Sequence, residues 1–124
     1  MDSRLIEIPL IVVDDSPLMR YLWSHHRLLK RVRAFESPEA LNAAAERDPD
    51  LLAGVAAIVT DNFFDHLSHT TGLEFAAKLR VDGFTKPIFL SSNGDFEQRE
   101  LTGVITALLP KPIEEALIII ARFV

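Results

Sequence analysis

A regular alternation of short apolar runs with helical segments most constrains what this chain can fold into. The apolar runs read as buried strands, and they lie at 9–13, 32–35, 56–60, 87–92 and 104–109. Helical segments follow them at 17–29, 38–47, 72–81, 95–103 and 112–124. Strict alternation of this kind predicts an α/β fold, in which a doubly wound, five-stranded parallel sheet has helices on both faces.

Several helices have recognisable start and stop signals. Ser16-Pro17 and Ser37-Pro38 each place a capping serine before a proline at the first helical position. Asp95, with Gln98 three residues later, predicts a capped start for the fourth helix, which Gly103 ends. The first helix is expected to bury one apolar stripe, formed by Met19, Leu22, Trp23, His26 and Leu29.

Length and charge limit the class of protein. The chain has 124 residues, which favours one domain over 1–124, and its formal net charge of −5 argues against nucleic acid as the main partner. It contains no cysteine, which excludes disulfides and thiolate metal sites. No signal peptide and no run of about 18 to 20 apolar residues is visible, so we expect no membrane partner and a cytoplasmic location.

Charged residues follow three of the predicted strands. Asp14 and Asp15 come after the first strand, Asp61 after the third and Lys111 shortly after the fifth. Ligands of open parallel sheets bind beyond the carboxyl ends of the strands, so these side chains are expected to meet at one edge. Carboxylates packed closely repel each other unless a divalent cation or a lysine neutralises them. The pattern predicts a site for a metal ion and a phosphate.

Four fragments together resemble the receiver domain of bacterial two-component response regulators, in particular a single-domain, chemotaxis-regulator-like receiver. They are Val12-Val13-Asp14-Asp15-Ser16, Val59-Thr60-Asp61, 87–92 and Pro110-Lys111-Pro112. They occur in the family's order, and the resemblance covers essentially the whole chain. It implies a flavodoxin-like (βα)5 three-layer sandwich with strand order 2-1-3-4-5.

The resemblance also implies a role for each site residue. Asp61 would be the phosphoacceptor, because a carboxylate can form an aspartyl phosphate. Lys111 would pair with the phosphoryl group, and Ser92, rather than the adjacent Ser91, would donate a hydrogen bond to it. The ligands of a Mg²⁺ ion would be Asp14, Asp15, Asp61 and the backbone carbonyl of Phe63. Read without the resemblance, Asp61 could equally be a capping or loop residue, and Asp14-Asp15 could be a solvated turn or a charge pair at a helix N-terminus.

The implied partners are those of a signalling protein. A histidine kinase or histidine phosphotransfer protein would donate the phosphoryl group, and an unknown downstream protein would read it. Homodimerisation would use the face of the fourth helix, fifth strand and fifth helix. Catalysis would be limited to the chain's own phosphorylation and dephosphorylation. A basic stretch reads either as a solvated helix face or as a surface for kinase docking, and it contains Arg20, Arg27, Lys30, Arg31 and Arg33.

Some positions depart from the receiver pattern. Leu108 stands where receivers often have an aromatic switch residue, and Asp65 stands where many have proline. The loop at 62–71 is longer than usual, and Asn93 follows Ser92 where a smaller residue is common. A phosphorylation-independent pseudo-receiver therefore stays open as an alternative. A Mg²⁺-dependent phosphatase is a third interpretation, although such enzymes carry a second aspartate at the position of Ser16.

Two further expectations concern the end of the chain. The resemblance implies a cis peptide bond between Lys111 and Pro112. The last helix is too apolar for one buried stripe, because inward spacing for Leu117, Ile120, Ala121 and Val124 leaves other apolar residues outside. Those residues are Ile118, Ile119 or Phe123. They would form a partner or self-association surface, or else the chain is a piece of a longer protein.

Overall fold

The computed structural model describes residues 7–64, 68–92 and 96–124. A parallel sheet contains the strands β1 (Leu10–Val13), β2 (Val32–Phe35), β3 (Ala57–Asp61), β4 (Ile88–Ser91) and β5 (Ala107–Leu109) in the order β2-β1-β3-β4-β5. The helices are α1 (Pro17–Ser24), α2 (Pro38–Arg47), α3 (Gly72–Val81), α4 (Gln98–Leu101) and α5 (Ile113–Ile120). This architecture confirms the predicted doubly wound α/β fold and its strand order.

The sheet separates two apolar cores, which makes the three layers. Alternate residues of a strand point to opposite faces, so Ile11 and Val13 pack in one core and Leu10 and Val12 in the other. The first core is closed mainly by residues of α2 and α3, with Leu101 of α4. The second is closed by Trp23 of α1 and by α5. Burial on both faces explains why the inner strands β1, β3 and β4 have mostly apolar sequences.

Side-chain caps start α1, α2 and α3, and the caps of α1 and α2 are the serines that the sequence predicts. Ser16 Oγ accepts a hydrogen bond from the Met19 N–H at 3.2 Å, and Ser37 Oγ accepts one from Ala40 at 3.1 Å. Thr71 and Glu74 form a reciprocal capping box at the start of α3. The predicted cap Asp95 lies outside the described residues, and α4 begins after Glu97.

The first helix is shorter than predicted, because a turn replaces its last residues. His26 Nδ1 accepts a hydrogen bond from the Leu28 N–H at 3.1 Å, and the His26 carbonyl accepts one from Leu29 at 3.0 Å. Trp23 and Leu29 are buried as expected, whereas Leu22 is 42% exposed. The prediction of a single buried helical stripe was therefore wrong at Leu22, and the helix ends before His26 and Leu29.

The fifth strand starts three residues later than predicted. Gly103 has a positive φ of 79°, and the Val104 and Ile105 N–H groups both bond to the Leu101 carbonyl. These donors belong to the turn that ends α4, so they cannot join the sheet.

The final helix ends at Ile120 rather than Val124, and its faces divide largely as predicted. Leu117 and Ile120 are fully buried, and Ile118 and Phe123 are 54% and 47% exposed. Among the helices of the described residues, none has both the length and the apolar character needed to cross a membrane.

Candidate metal and phosphoryl site

The parallel register brings the charged residues to one edge of the sheet. Val13 of β1 pairs with Thr60 of β3, so Asp14 and Asp61 lie side by side at the next position. Asp61 in turn pairs with Ser91, the last residue of β4. These neighbours stand at the carboxyl ends of adjacent strands, where the fold predicts a ligand site.

Asp14, Asp15 and Asp61 form an acidic cluster at this edge. Each offers a carboxylate oxygen, and the three oxygens lie within 4.8 Å of one another. Asp14 is buried, and the other two are partly buried. The spatial convergence expected from the sequence is therefore present.

Asp14 is the most buried carboxylate of the cluster, with 4% of the residue exposed. Its Oδ1 accepts a hydrogen bond from the Ser16 N–H at 2.9 Å. Burial nevertheless raises the pKa of Asp14 above its ordinary value of 3.8, and the negative charges of Asp61 and Asp15 act in the same direction. The Ser16 hydrogen bond and the Lys111 charge only partly oppose this rise.

Lys111 reaches the cluster from the loop after β5. Its Nζ lies 3.3 Å from Asp61 Oδ1 and donates to the Ser91 carbonyl at 3.1 Å. The second contact anchors the ammonium on β4, so its position does not depend on the carboxylate alone. The Lys111–Pro112 peptide bond is trans, and the expectation of a cis bond was wrong.

The two remaining predicted site residues lie at the ends of their strands. Ser92 directly follows β4 and is partly buried, whereas Ser91 is 4% exposed. Phe63 lies two residues past Asp61 and is 64% exposed, whereas Phe64 packs in the core closed by α2 and α3. Roles for Ser92 and for the Phe63 carbonyl stay predictions. The departures at Asp65 and Asn93 lie outside the described residues.

The basic stretch is divided by the structure. Arg20 Nη1 donates to the Asp14 carbonyl at 3.0 Å, which places this arginine beside the acidic cluster. Lys30 and Arg31 instead directly precede β2, at the opposite edge of the sheet.

Two residues that the sequence analysis overlooked support the Asp61 backbone. Asn62 is buried, and its Oδ1 accepts a hydrogen bond from the Leu73 N–H at 3.1 Å. Gly72 approaches so closely that a Cβ there would lie 1.9 Å from the Asp61 carbonyl oxygen. A glycine directly after the capping Thr71, where helices rarely need one, was the available signal.

The donor set suits a hard divalent cation. Carboxylate and carbonyl oxygens are the ligands that Mg²⁺ prefers, and the cluster offers three carboxylates without nitrogen or sulfur ligands in the group. A cation there would offset the repulsion between Asp14 and its two acidic neighbours. The residues present therefore fit Mg²⁺.

Comparisons with known proteins agree with this fold. No protein-family model matches the chain, and no curated protein matches its sequence. The receiver domain of the Arabidopsis thaliana histidine kinase CKI1, complexed with Mg²⁺, matches with a TM-score of 0.71 at 20% identity, covering 98% of this chain and 94% of that chain. The receiver domain of the putative response regulator NarL from Mycobacterium tuberculosis matches with 0.66 at 19% identity, covering 93% and 94%.

A response regulator receiver domain protein from Clostridium thermocellum matches with a TM-score of 0.71 at 13% identity, covering 93% of this chain and 92% of that chain. At these identities the likeness concerns the fold, and it extends over nearly the full length of both partners. The chain therefore has the fold of the response regulator receiver domain, the family that its sequence fragments resemble.

Proposed function

We propose that this chain is a phosphoacceptor receiver of a two-component pathway, with Asp61 as the acceptor. One observation supports this most directly: three carboxylate oxygens lie within 4.8 Å of one another, and Lys111 Nζ lies 3.3 Å from Asp61 Oδ1. Phosphoryl transfer needs positive charge beside the acceptor, because negative charge develops on the phosphoryl oxygens. Lys111 and a cation held by the carboxylates would supply this positive charge.

The metal in this proposal is Mg²⁺, held by Asp14, Asp15, Asp61 and the Phe63 carbonyl. When bound, the ion supplies positive charge that offsets the charge of the phosphoryl oxygens. The CKI1 receiver domain was also crystallised with Mg²⁺ and BeF3⁻, and it matches this chain with a TM-score of 0.73 at 19% identity.

Three residues of the chain have separate roles in the phosphoryl transfer. A carboxylate oxygen of Asp61 forms a bond to the phosphorus of a phosphohistidine, the P–N bond breaks, and the histidine nitrogen keeps the electron pair. The Lys111 ammonium neutralises charge on the transferred group, and the Ser92 hydroxyl donates a hydrogen bond to it. Attack of water on the phosphorus of the aspartyl phosphate then breaks the P–O bond to Asp61, which returns to its carboxylate as inorganic phosphate is released.

The phosphodonor should approach the carboxyl edge of the sheet. A histidine kinase or phosphotransfer protein that docks there meets α1, where Leu18 and Tyr21 are 64% and 59% exposed. Lys30 and Arg31 directly precede β2, at the edge of the sheet opposite Asp61, so we do not include them in the surface that the phosphodonor contacts. Output would be a change in partner binding, including self-association, at α4, β5 and α5.

Intact-mass analysis after incubation with Mg²⁺ and acetyl phosphate tests the proposal. The wild-type chain should gain one phosphoryl group, and Asp61→Asn should gain none. Asp82→Asn is a matched control, because Asp82 is an exposed residue at the far end of α3, and it should be labelled like the wild type. An unlabelled wild type, or an adduct that survives Asp61→Asn, would contradict the proposal.

A second candidate is a receiver fold that binds its partner without phosphorylation. Two observations favour it: α4 has only four residues, and Leu108 replaces the usual aromatic residue and is 39% exposed. A Mg²⁺ titration followed by NMR separates the two functions. Saturable shifts of the Asp14 and Asp61 amides support the phosphoacceptor, and unchanged spectra together with an unlabelled chain support this second candidate.

A further inference from the structure

We propose that Asn62 is a positioning residue, which sets the place of the Asp61 carboxylate and the Phe63 carbonyl by joining the end of β3 to the first turn of α3. The inference rests on the proposed function, because the groups that it positions are the acceptor and a metal ligand.

Asn62 makes two hydrogen bonds to the start of α3. Its side-chain Oδ1 accepts from the Leu73 N–H at 3.1 Å, and its main-chain carbonyl accepts from the Gly72 N–H at 2.8 Å. The first amides of a helix have no acceptor within the helix, so these bonds satisfy donors that would otherwise need water. Asn62 is 4% exposed, and water does not readily replace it.

The helix start also touches the acceptor's own backbone. A Cβ on Gly72 would lie 1.9 Å from the Asp61 carbonyl oxygen and 2.8 Å from its carbon. The first turn of α3 therefore lies directly against Asp61. A displacement of this turn cannot leave the end of β3 unmoved.

A third hydrogen bond links Asn62 to the carboxylate itself. The Asn62 N–H donates to Asp61 Oδ1 at 2.8 Å, and Lys111 Nζ lies 3.3 Å from the same oxygen. The Asn62 N–H thus orients the carboxylate, and the two bonds to α3, made by the carbonyl and the side chain of Asn62, hold in place the residue that carries this N–H. Phe63, the predicted carbonyl ligand, is the next residue along this fixed segment.

Capping of α3 is not a sufficient explanation for these contacts. The helix has its own capping box, in which Thr71 Oγ1 accepts from the Glu74 N–H and Glu74 Oε1 accepts from the Thr71 N–H, each at 3.1 Å. The Asn62 bonds are additional, and they join the start of α3 to the residue that directly follows β3. Their distinct result is to fix the strand end.

The test compares Asn62→Leu with Thr71→Ala. Leucine has the same branched side-chain skeleton as asparagine but no side-chain acceptor, and Thr71→Ala weakens the same helix start without removing a contact to β3. Both variants should lose stability in urea unfolding. Asn62→Leu should in addition weaken Mg²⁺ binding and slow labelling by acetyl phosphate about tenfold, as loss of a ligand-orienting contact typically does. Thr71→Ala should stay within about twofold of the wild type in both.

Equal effects in the two variants would overturn the positioning role and leave the proposed function standing. A wild-type chain that neither binds Mg²⁺ nor accepts a phosphoryl group would overturn both. If Asn62→Leu does not fold, hydrogen exchange of the wild-type chain tests the proposal instead. Because coupling between sites is reciprocal, Mg²⁺ should slow hydrogen exchange of the Gly72 and Leu73 amides more than that of Ala40 in α2. Equal slowing at all three amides would contradict the proposal.

Discussion

At the scale of single residues, the fold opposes the ionisation of Asp14, whose negative charge a bound cation would need. A buried carboxylate with two acidic neighbours is costly to ionise, and its pKa is raised from 3.8 by burial first. The folded state therefore keeps the proton at pH values where the unfolded chain has lost it. Stability decreases as pH rises through the interval between 3.8 and the higher folded value. The charge that weakens the fold is the charge that a cation requires.

Asp14→Asn should therefore stabilise the protein at pH 7 when no divalent cation is present. The amide keeps an oxygen for the Ser16 N–H and removes the charge, and we expect a gain on the order of 1 kcal/mol in the free energy of unfolding. The gain should vanish below pH 3.8, where Asp14 is protonated in both states. Urea unfolding at several pH values measures it.

Saturating Mg²⁺ should make the wild type more stable than Asp14→Asn. An ion that binds only the folded state stabilises it by about 2.7 kcal/mol at 100 times its dissociation constant. The wild type has all its carboxylate ligands, so it should gain more than Asp14→Asn. If Asp14→Asn is less stable than the wild type at pH 7 without metal, or gains as much stability from Mg²⁺ as the wild type does, this account is contradicted.

At the scale of elements, the contact between β3 and α3 fixes the position of Asp61. Gly72 is the residue that allows this contact, because any side chain there would meet the Asp61 carbonyl. Helix propensity alone favours alanine over glycine by about 1 kcal/mol. A Cβ at 1.9 Å from a backbone oxygen outweighs that preference, since neither backbone can move without displacing the other.

Gly72→Ala should accordingly destabilise the protein by about 1 to 3 kcal/mol, the usual range for overpacking. The reaction of Asp61 with acetyl phosphate should slow as well, because the strand end must shift. Ala77→Gly in the same helix should lower stability by about 1 kcal/mol through propensity alone and leave labelling unchanged. A stabilised Gly72→Ala variant would show that the close approach is absent in solution.

The two faces of α5 should respond differently to truncation. Leu117 is fully buried in the core of α1 and α5, and Ile118 is 54% exposed. Leu117→Ala should lower the free energy of unfolding by about 2 to 5 kcal/mol, and Ile118→Ala should change it by less than about 0.5 kcal/mol. A large loss for Ile118→Ala in the isolated protein would mean that this face is already covered, for example by a second copy.

For the molecule as a whole, parallel topology explains why the sequence predicted so much of the site. Alternating strands and helices leave few arrangements, and each parallel strand ends at the same edge. Asp14 and Asp61 could thus be placed together from their strand ends alone. Lys111 followed from the same rule, since it lies two residues after Leu109, the end of β5.

The remaining features depend on contacts that sequence periodicity does not encode. The end of α1 depends on a histidine ring that accepts a backbone hydrogen bond, and the start of β5 on the turn around Gly103. The role of Asn62 depends on a helix that begins 10 residues later, at Gly72. The Asn62 contact arises only when β3 and α3 pack, and the two turns are local departures from helix or strand geometry, so hydrophobic periodicity could not predict them.

The central claim is that Asp61 accepts a phosphoryl group in a site that needs a divalent cation. Peptide mapping by mass spectrometry after labelling with acetyl phosphate tests it most directly, once borohydride has reduced the acyl phosphate to a stable product. We predict modification at Asp61 alone, in the presence of Mg²⁺ and not with excess chelator. Modification at a histidine or serine, or at Asp61 with equal yield in the presence of chelator, would contradict it.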